Sequence, residues 1–249
     1  MPATSLRVGD STSYSACVTD RQQRVEAAQR LRYRVFAQEM GAALDSPFPG
    51  RDVDEFDGVM DHLIVSDTGT DEVVGTYRLL PPGRVDTSYA DGEFDLRALA
   101  GLRSSMLETG RSCVHPDHRT GAVIGLMWSA LYRHARRLGL RYLAGCASVP
   151  LAGGSGAAAA TWALGTSRHR APSELCVQPR RAWIPREPGA VEPRYTDVPP
   201  LLRGYLRMGA WLCGPPAYDA AFDVADFFLL LDLDRISGRH RRHYLGEVP

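Results

Sequence analysis

The pattern of apolar and polar positions divides the chain into short strands and helices. Tyr14–Thr19 reads as a strand. Residues 21–39 place Val25, Ala28, Leu31, Val35 and Phe36 at helical spacing, with Asp20 as the N-cap and Gly41 as the stop. A loop rich in Pro, Gly and Asp follows over 45–58. Residues 62–66 and 72–80 are apolar runs joined by Thr68-Gly69-Thr70-Asp71, which predicts a hairpin, and Pro81-Pro82-Gly83 ends it. After an irregular stretch, 105–114 reads as a strand, 115–120 as a loop, 123–138 as an amphipathic helix and 141–147 as a strand. Downstream, the pattern predicts helices over 157–164 and 201–212, a strand over 225–233 and a basic tail over 235–244. This order predicts an α/β (α+β) fold with a mixed central sheet flanked by helices. We expect one domain over 1–249, elaborated in its C-terminal part from about residue 151.

Composition narrows the chemistry. The 249 residues carry 29 acidic and 29 basic side chains, and every basic one is arginine. Without lysine there is no Schiff base, no covalent pyridoxal phosphate and no phosphate-loop lysine. Zero net charge gives no whole-molecule field for nucleic acid, which is not expected as a partner. Five scattered cysteines without a CxxC pair predict no metal site and a reducing, cytoplasmic setting. The N-terminal stretch lacks the apolar core of a signal peptide, and the apolar run 227–231 is too short to span a bilayer.

Several positions stand out. Glu108 lies in an otherwise apolar strand, where a half-buried carboxylate needs a partner or becomes a general base with a raised pKa. An ion pair with Arg111 is the plainer reading; alternation puts the two on opposite faces, and Gly110 between them suggests a bulge. Arg32 and Phe36 sit one helical turn apart and can face one cleft. Asp52, Asp54 and Asp57 form an acidic loop suited to an amine or a cation, or merely solvated. Arg78 shares a strand face with Thr76, and the Asp54/Asp57 pair is its candidate counter-charge. The strand–loop–helix junction with Arg119 and Gly121 can hold a phosphate on free helix amides, or be an ordinary loop. Cys113 and His115 are not read as a catalytic dyad, on the ground that strand neighbours point to opposite faces.

Taken in order, the segments Leu31-Arg32-Tyr33-Arg34-Val35-Phe36, Asp54-Glu55-Phe56-Asp57, His62-Leu63-Ile64-Val65, Val74-Gly75-Thr76-Tyr77-Arg78-Leu79-Leu80 and Leu107-Glu108-Thr109-Gly110-Arg111-Ser112-Cys113-Val114-His115-Pro116 resemble the GNAT acyltransferases. They resemble most the branch holding acyl-homoserine-lactone synthases and ornithine-lipid N-acyltransferases. The C-terminal segments 201–210 and 222–228 are similar to the latter, and the tryptophan that lactone synthases carry after the first helix is missing from 40–51.

The resemblance implies direct transfer of a long acyl chain from acyl-carrier protein, or from coenzyme A, to the amine of an amino acid such as ornithine. No tightly bound cofactor is implied. Glu108, directly or through water, would be the general base, and the amide of Val114 or of a neighbour would stabilise the oxyanion. Arg32, Phe36, Asp54, Asp57, Arg78 and Arg111 would shape the acceptor pocket. Val114, His115, Arg119 and Gly121 would hold the donor, its pantetheine arm lying between the strands at 108–114 and 142–146. The phosphate loop departs from the family pattern: Arg119-Thr120-Gly121-Ala122-Val123-Ile124 has its first glycine one place early and lacks the second. That favours a carrier protein, which offers one phosphate, over coenzyme A. The arginine-rich tail could meet anionic headgroups or the carrier protein, or simply be solvated, which leaves peripheral membrane contact open. The alternatives are a lactone synthase using S-adenosylmethionine, an acetyl-CoA N-acetyltransferase and a non-enzymatic thioester-binding module.

Overall fold

The computed structural model describes residues 6–10, 13–184 and 194–245. In chain order the elements are β1 (Leu6–Asp10), β2 (Tyr14–Thr19), α1 (Gln22–Tyr33), β3 (Asp61–Asp67), β4 (Val73–Leu80), α2 (Tyr89–Glu93), β5 (Phe94–Asp95), β6 (Met106–Val114), α3 (Gly121–Arg137), β7 (Tyr142–Pro150), α4 (Gly156–Arg168), β8 (Gln178–Pro179), α5 (Pro200–Met208), β9 (Trp211–Leu212), β10 (Ala217–Asp219), β11 (Val224–Asp232) and α6 (Gly238–Leu245). They form two compact units, one of residues 1–84, 107–141 and 237–249, the other of 85–106 and 142–236.

In the first unit β1, β2, β3, β4 and β6 pair antiparallel in that order. The hairpin predicted at 68–71 is present, with Asp71 in the left-handed region at φ 60°. Every residue of β4 is buried, so both its faces are covered. Gly75 lies on the face toward α3: a Cβ there would come within 3.0 Å of the Met127 sulfur and 3.2 Å of Val123 Cγ1. The opposite face, with Thr76 and Arg78, is polar and yet sealed. The helix expected at 21–39 runs to Glu39 but changes type along its length. It is α-helical only to Tyr33, and Arg34–Glu39 continues as a π-helix before Gly41, at φ 75°, turns the chain. Asp20 is not the cap; the start is marked instead by the Arg21 amide donating to Thr19 Oγ1.

In the second unit β11 pairs along its full length with β7, from Val224 opposite Pro150 to Asp232 opposite Tyr142. Its other edge takes β10 and then β9. Alternation sends Phe228 and Leu230 into a core with Phe94, Leu96, Leu99 and Val177, and Ala225, Phe227 and Leu229 into a second core with Leu164, Leu202 and Leu206. Burial on both faces explains why β11 reads as a continuous apolar run. The stretch read as irregular before β6 folds into α2, β5 and a 3-10 helix over Arg97–Ser105. Its signal was weak because the helix is five residues long and starts on a Ser88–Asp91 capping box without an apolar stripe.

The contact between Gly75 and Met127 makes a packing test. Gly75→Val should lower unfolding stability by about 1–3 kcal/mol through overpacking. Gly125→Ala, on α3 with nothing within 4 Å of the added carbon, should leave stability level or raise it by up to roughly 1 kcal/mol. Denaturant unfolding of the two variants reads the difference, and equal midpoints would contradict the packing argument.

Candidate active site

The site is built on the polar face of β4. Across the ladder Arg78 lies opposite His62 on β3 and Gly110 on β6, and Leu80 lies opposite Glu108. Cross-strand neighbours share a face, so Glu108, Arg78 and His62 project to one side. Glu108 is buried, with 6% of its surface exposed. Between Arg78 and Thr76 the partner strand advances from Gly110 to Cys113, one residue more than β4 does, which is a β-bulge. The expected bulge is therefore real, but its left-handed residue is Arg111, at φ 48°, and not the glycine before it. A bulky residue there costs about 1–2 kcal/mol. The bulge breaks the alternation that would have sent Arg111 to the far face, and its guanidinium lies 3.6 Å from Asp52 and 3.4 Å from Asp54.

Those two acids belong to a buried network. Arg32, fully buried on α1, donates from Nε to Asp52 at 2.7 Å and from Nη2 to both oxygens of Asp57 at 2.7 and 2.9 Å. Arg78 bonds Asp54 and, at 3.1 Å, the second oxygen of Asp57. Three arginines thus face three aspartates, and Asp57 bridges helix and strand. Burial pushes its carboxyl up, but Arg32 and Arg78 outweigh that and hold it down at about 2. Asp54 is likewise lowered against burial by Arg78 and Arg111. His62 hydrogen-bonds the Asp57 carbonyl at 3.1 Å, and burial, with Arg32 nearby, lowers its pKa and keeps it neutral. Phe36, one turn on from Arg32 in the π-helical continuation, is also buried. The acidic loop is therefore engaged by arginines, and among the described residues no cluster of His, Cys, Asp or Glu has the geometry of a metal site.

The other end of β6 carries the residues expected at the donor. The His115 amide donates to the Val74 carbonyl at 2.8 Å, so the alternation of an antiparallel ladder turns the Val114 N–H away from β4. The Val114 carbonyl accepts from Arg119 Nε at 3.3 Å, and the Arg119 fork binds both oxygens of Glu39 at 2.6 Å. Gly121 is the first residue of α3; Thr120 before it is extended and makes no side-chain cap, so the first amides of a 17-residue helix have no capping group there. The His115 ring does not join Arg119. It lies on the α1 side, accepts the Asp117 amide at Nδ1 and packs edge-on against His118.

Residues 31–129 match the family model of the acetyltransferase (GNAT) domain, a span that contains the network, Glu108 and the start of α3. The L-ornithine N(alpha)-acyltransferase of Brucella abortus is 35% identical over 90% of this chain and 86% of its own. That of Rhodobacter capsulatus is 34% identical over 95% and 96%. The chain belongs to the L-ornithine N(alpha)-acyltransferase family. It is an N-acyltransferase with the GNAT fold. The solved structure of BjaI, a CoA-dependent acyl-homoserine lactone synthase, superposes with a TM-score of 0.53 at 18% identity, covering 92% of this chain and 85% of that one, which is a likeness of fold.

Within this family of N-acyltransferases, sequence reasoning missed two partners and used one wrong argument. Glu39 is 80 residues from Arg119, and nothing in the sequence links them. His62 could have been found, because hairpin register places it opposite Arg78. Cys113 and His115 are two residues apart and share a face, Cys113 opposite Thr76 and His115 bonded to Val74, so alternation does not separate them. Burial is what excludes the dyad: it pushes the Cys113 thiol up to about 12, far from a thiolate at neutral pH.

The depressed Asp57 pKa has a definite sign. Its stabilisation is complete above the ordinary value of 3.8 and is lost as the pH falls toward about 2. Asp57→Asn should flatten the loss of stability across that window. At neutral pH it should cost about 3–5 kcal/mol, because two buried arginines lose a shared counter-charge. Urea unfolding at a series of pH values measures both, and an unchanged acid slope would show that Asp57 is not the linked group.

Proposed function

We propose that this N-acyltransferase moves a long fatty acyl group from an acyl-carrier-protein thioester, or from acyl-CoA, to the α-amine of ornithine. The named activity of relatives at 34–35% identity supports the acceptor. The observation that carries the chemistry is Glu108, a buried carboxylate on the Arg78 face of the sheet.

In this reading Glu108 takes the proton of the acceptor ammonium, directly or through water. The freed amine attacks the thioester carbonyl carbon, the Val114 N–H steadies the oxyanion, and the intermediate collapses by expelling the pantetheine thiol. No covalent enzyme intermediate forms. Arg111, 3.6 Å from Asp52, 3.4 Å from Asp54 and partly exposed, is the guanidinium assigned to the acceptor carboxylate. Arg32, Asp52 and Asp57 act as positioning residues with Phe36 against them, and Asp54 and Arg78 orient Arg111. Arg119 and the amides from Gly121 onward receive the pantetheine phosphate, with Glu39 giving up part of its hold on Arg119. The chain works at the membrane surface, because its product is amphiphilic. None of the helices among the described residues is long and apolar enough to cross a bilayer, and α6 brings Arg239, Arg241 and Arg242 to one short segment.

The test is mass spectrometry of products formed from L-ornithine with acyl-carrier-protein and CoA thioesters, with an S-adenosylmethionine arm beside them. N-acyl-ornithine is expected, and Glu108→Gln should reduce its rate by roughly a hundredfold or more. Full activity of that variant removes Glu108 from the role of base. A lactone formed only with S-adenosylmethionine overturns the acceptor.

A further inference from the structure

Away from Glu108, the first unit holds a groove of about 420 Å³ between α1, the start of β4 and His115. It lies seven residues along the chain from Glu108, roughly 20 Å at about 3.3 Å per residue, so it is not the site of acyl transfer. Ala27, Leu31 and Val73 supply its apolar lining. Arg24 and Asp71 also line it, but they are joined to each other at 2.6 Å. Gln23 and Arg30, the latter 3.8 Å from Glu26, line it as well, and Arg34, Glu72 and His115 complete its polar lining.

The His115 side chain is 5% exposed, and its Nε2 has no hydrogen-bond partner. Because Nδ1 accepts the Asp117 amide, the neutral ring carries its proton on Nε2, a buried donor on a residue that lines the groove. Burial, reinforced by the charge of Arg34, lowers the ring's pKa and keeps it neutral. Arg34 is exposed and makes no ion pair with a described carboxylate within 4.0 Å. The Glu72 carboxylate stands 3.8 Å from Nε2, too far for a hydrogen bond, and is half exposed. Two donors, Arg34 and His115, and one acceptor, Glu72, therefore line one groove.

A plain anion placed on Nε2 would meet the Glu72 carboxylate, and a plain amine would meet the Arg34 guanidinium. A ligand with both charges on one carbon meets neither objection. We propose that this groove binds a free α-amino acid, its carboxylate on Arg34 and the His115 Nε2–H, its ammonium on Glu72, and its side chain along Ala27, Leu31 and Val73. This is an amino-acid site additional to the acceptor position at Glu108.

Long-range proton–nitrogen spectra of the uniformly labelled full chain report the His115 ring, assigned by its loss in His115→Gln. L-alanine and L-ornithine should shift the ring signals saturably, while acetate and methylammonium at matched concentration should not. Arg34→Gln and Glu72→Gln should each weaken the amino-acid response roughly tenfold or more, and Glu108→Gln should leave it in place. The proposal is overturned by no response to either amino acid, by an equal response to acetate, or by a response lost in Glu108→Gln. It is also overturned if Glu72→Gln alone moves the Nε2–H signal of the ligand-free protein and amino acids do not, since that marks an internal His115–Glu72 bond.

Discussion

Asp57 is bound by Arg32 from a helix and by Arg78 from a strand, and the polar face of the sheet depends on that bridge. Two guanidinium groups without exposed surface are tolerable only where their charge is met, and desolvating either alone would cost several kcal/mol. Asp52 and Asp54 complete the balance, and in doing so they fix the path of the loop between α1 and β3. The loop is long and short of regular structure, yet its backbone is tied as well: the Asp52 amide donates to the Gln29 carbonyl, and the Asp54 amide to the Asp57 carboxylate. What reads as a solvated acidic stretch is the counter-charge of a buried arginine pair.

The bulge in β6 is the second constraint. It puts a non-glycine residue in the left-handed region, a cost that persists only where surroundings over-determine it. Here the surroundings are Asp52 and Asp54, which draw Arg111 to the side of the sheet that carries Glu108. Strain, ion pairing and the placement of the proposed base are one local arrangement. The same strand ends in a junction where Val114 turns its amide from β4 and α3 begins without a side-chain cap. The proposed base and the proposed donor-holding groups thus come from two ends of one nine-residue strand.

Much of this was legible from residue order. The hairpin, β6, α3 and β11 carry clean periodicity and turn residues, and Arg78 in a buried strand called for the aspartates it has. The ordered segments also named the family that the relatives confirm. Legibility failed where the deciding partner is remote or the regular period breaks. Glu39 on Arg119, the π-helical end of the first helix and the sealed state of Arg32 follow from packing between distant segments. The face of Arg111 could not be fixed by alternation, because the one residue inserted at the bulge reverses every later assignment.

By itself, the sequence determined which chemistry was open. A chain without lysine has no lysine-amine intermediate open to it, and direct acyl transfer is what the resemblance of its ordered segments implies. It determined the secondary elements wherever one face is apolar, because burial of that face outweighs local alternatives. The tertiary structure alone decided which charges are used up and which remain. Asp52, Asp54 and Asp57 are engaged by arginines, while Arg34, Glu72 and the His115 Nε2–H are left to meet a ligand. The reason is physical: a charge is neutralised by whatever lies within a few ångströms, and that distance is set by folding and not by spacing along the chain.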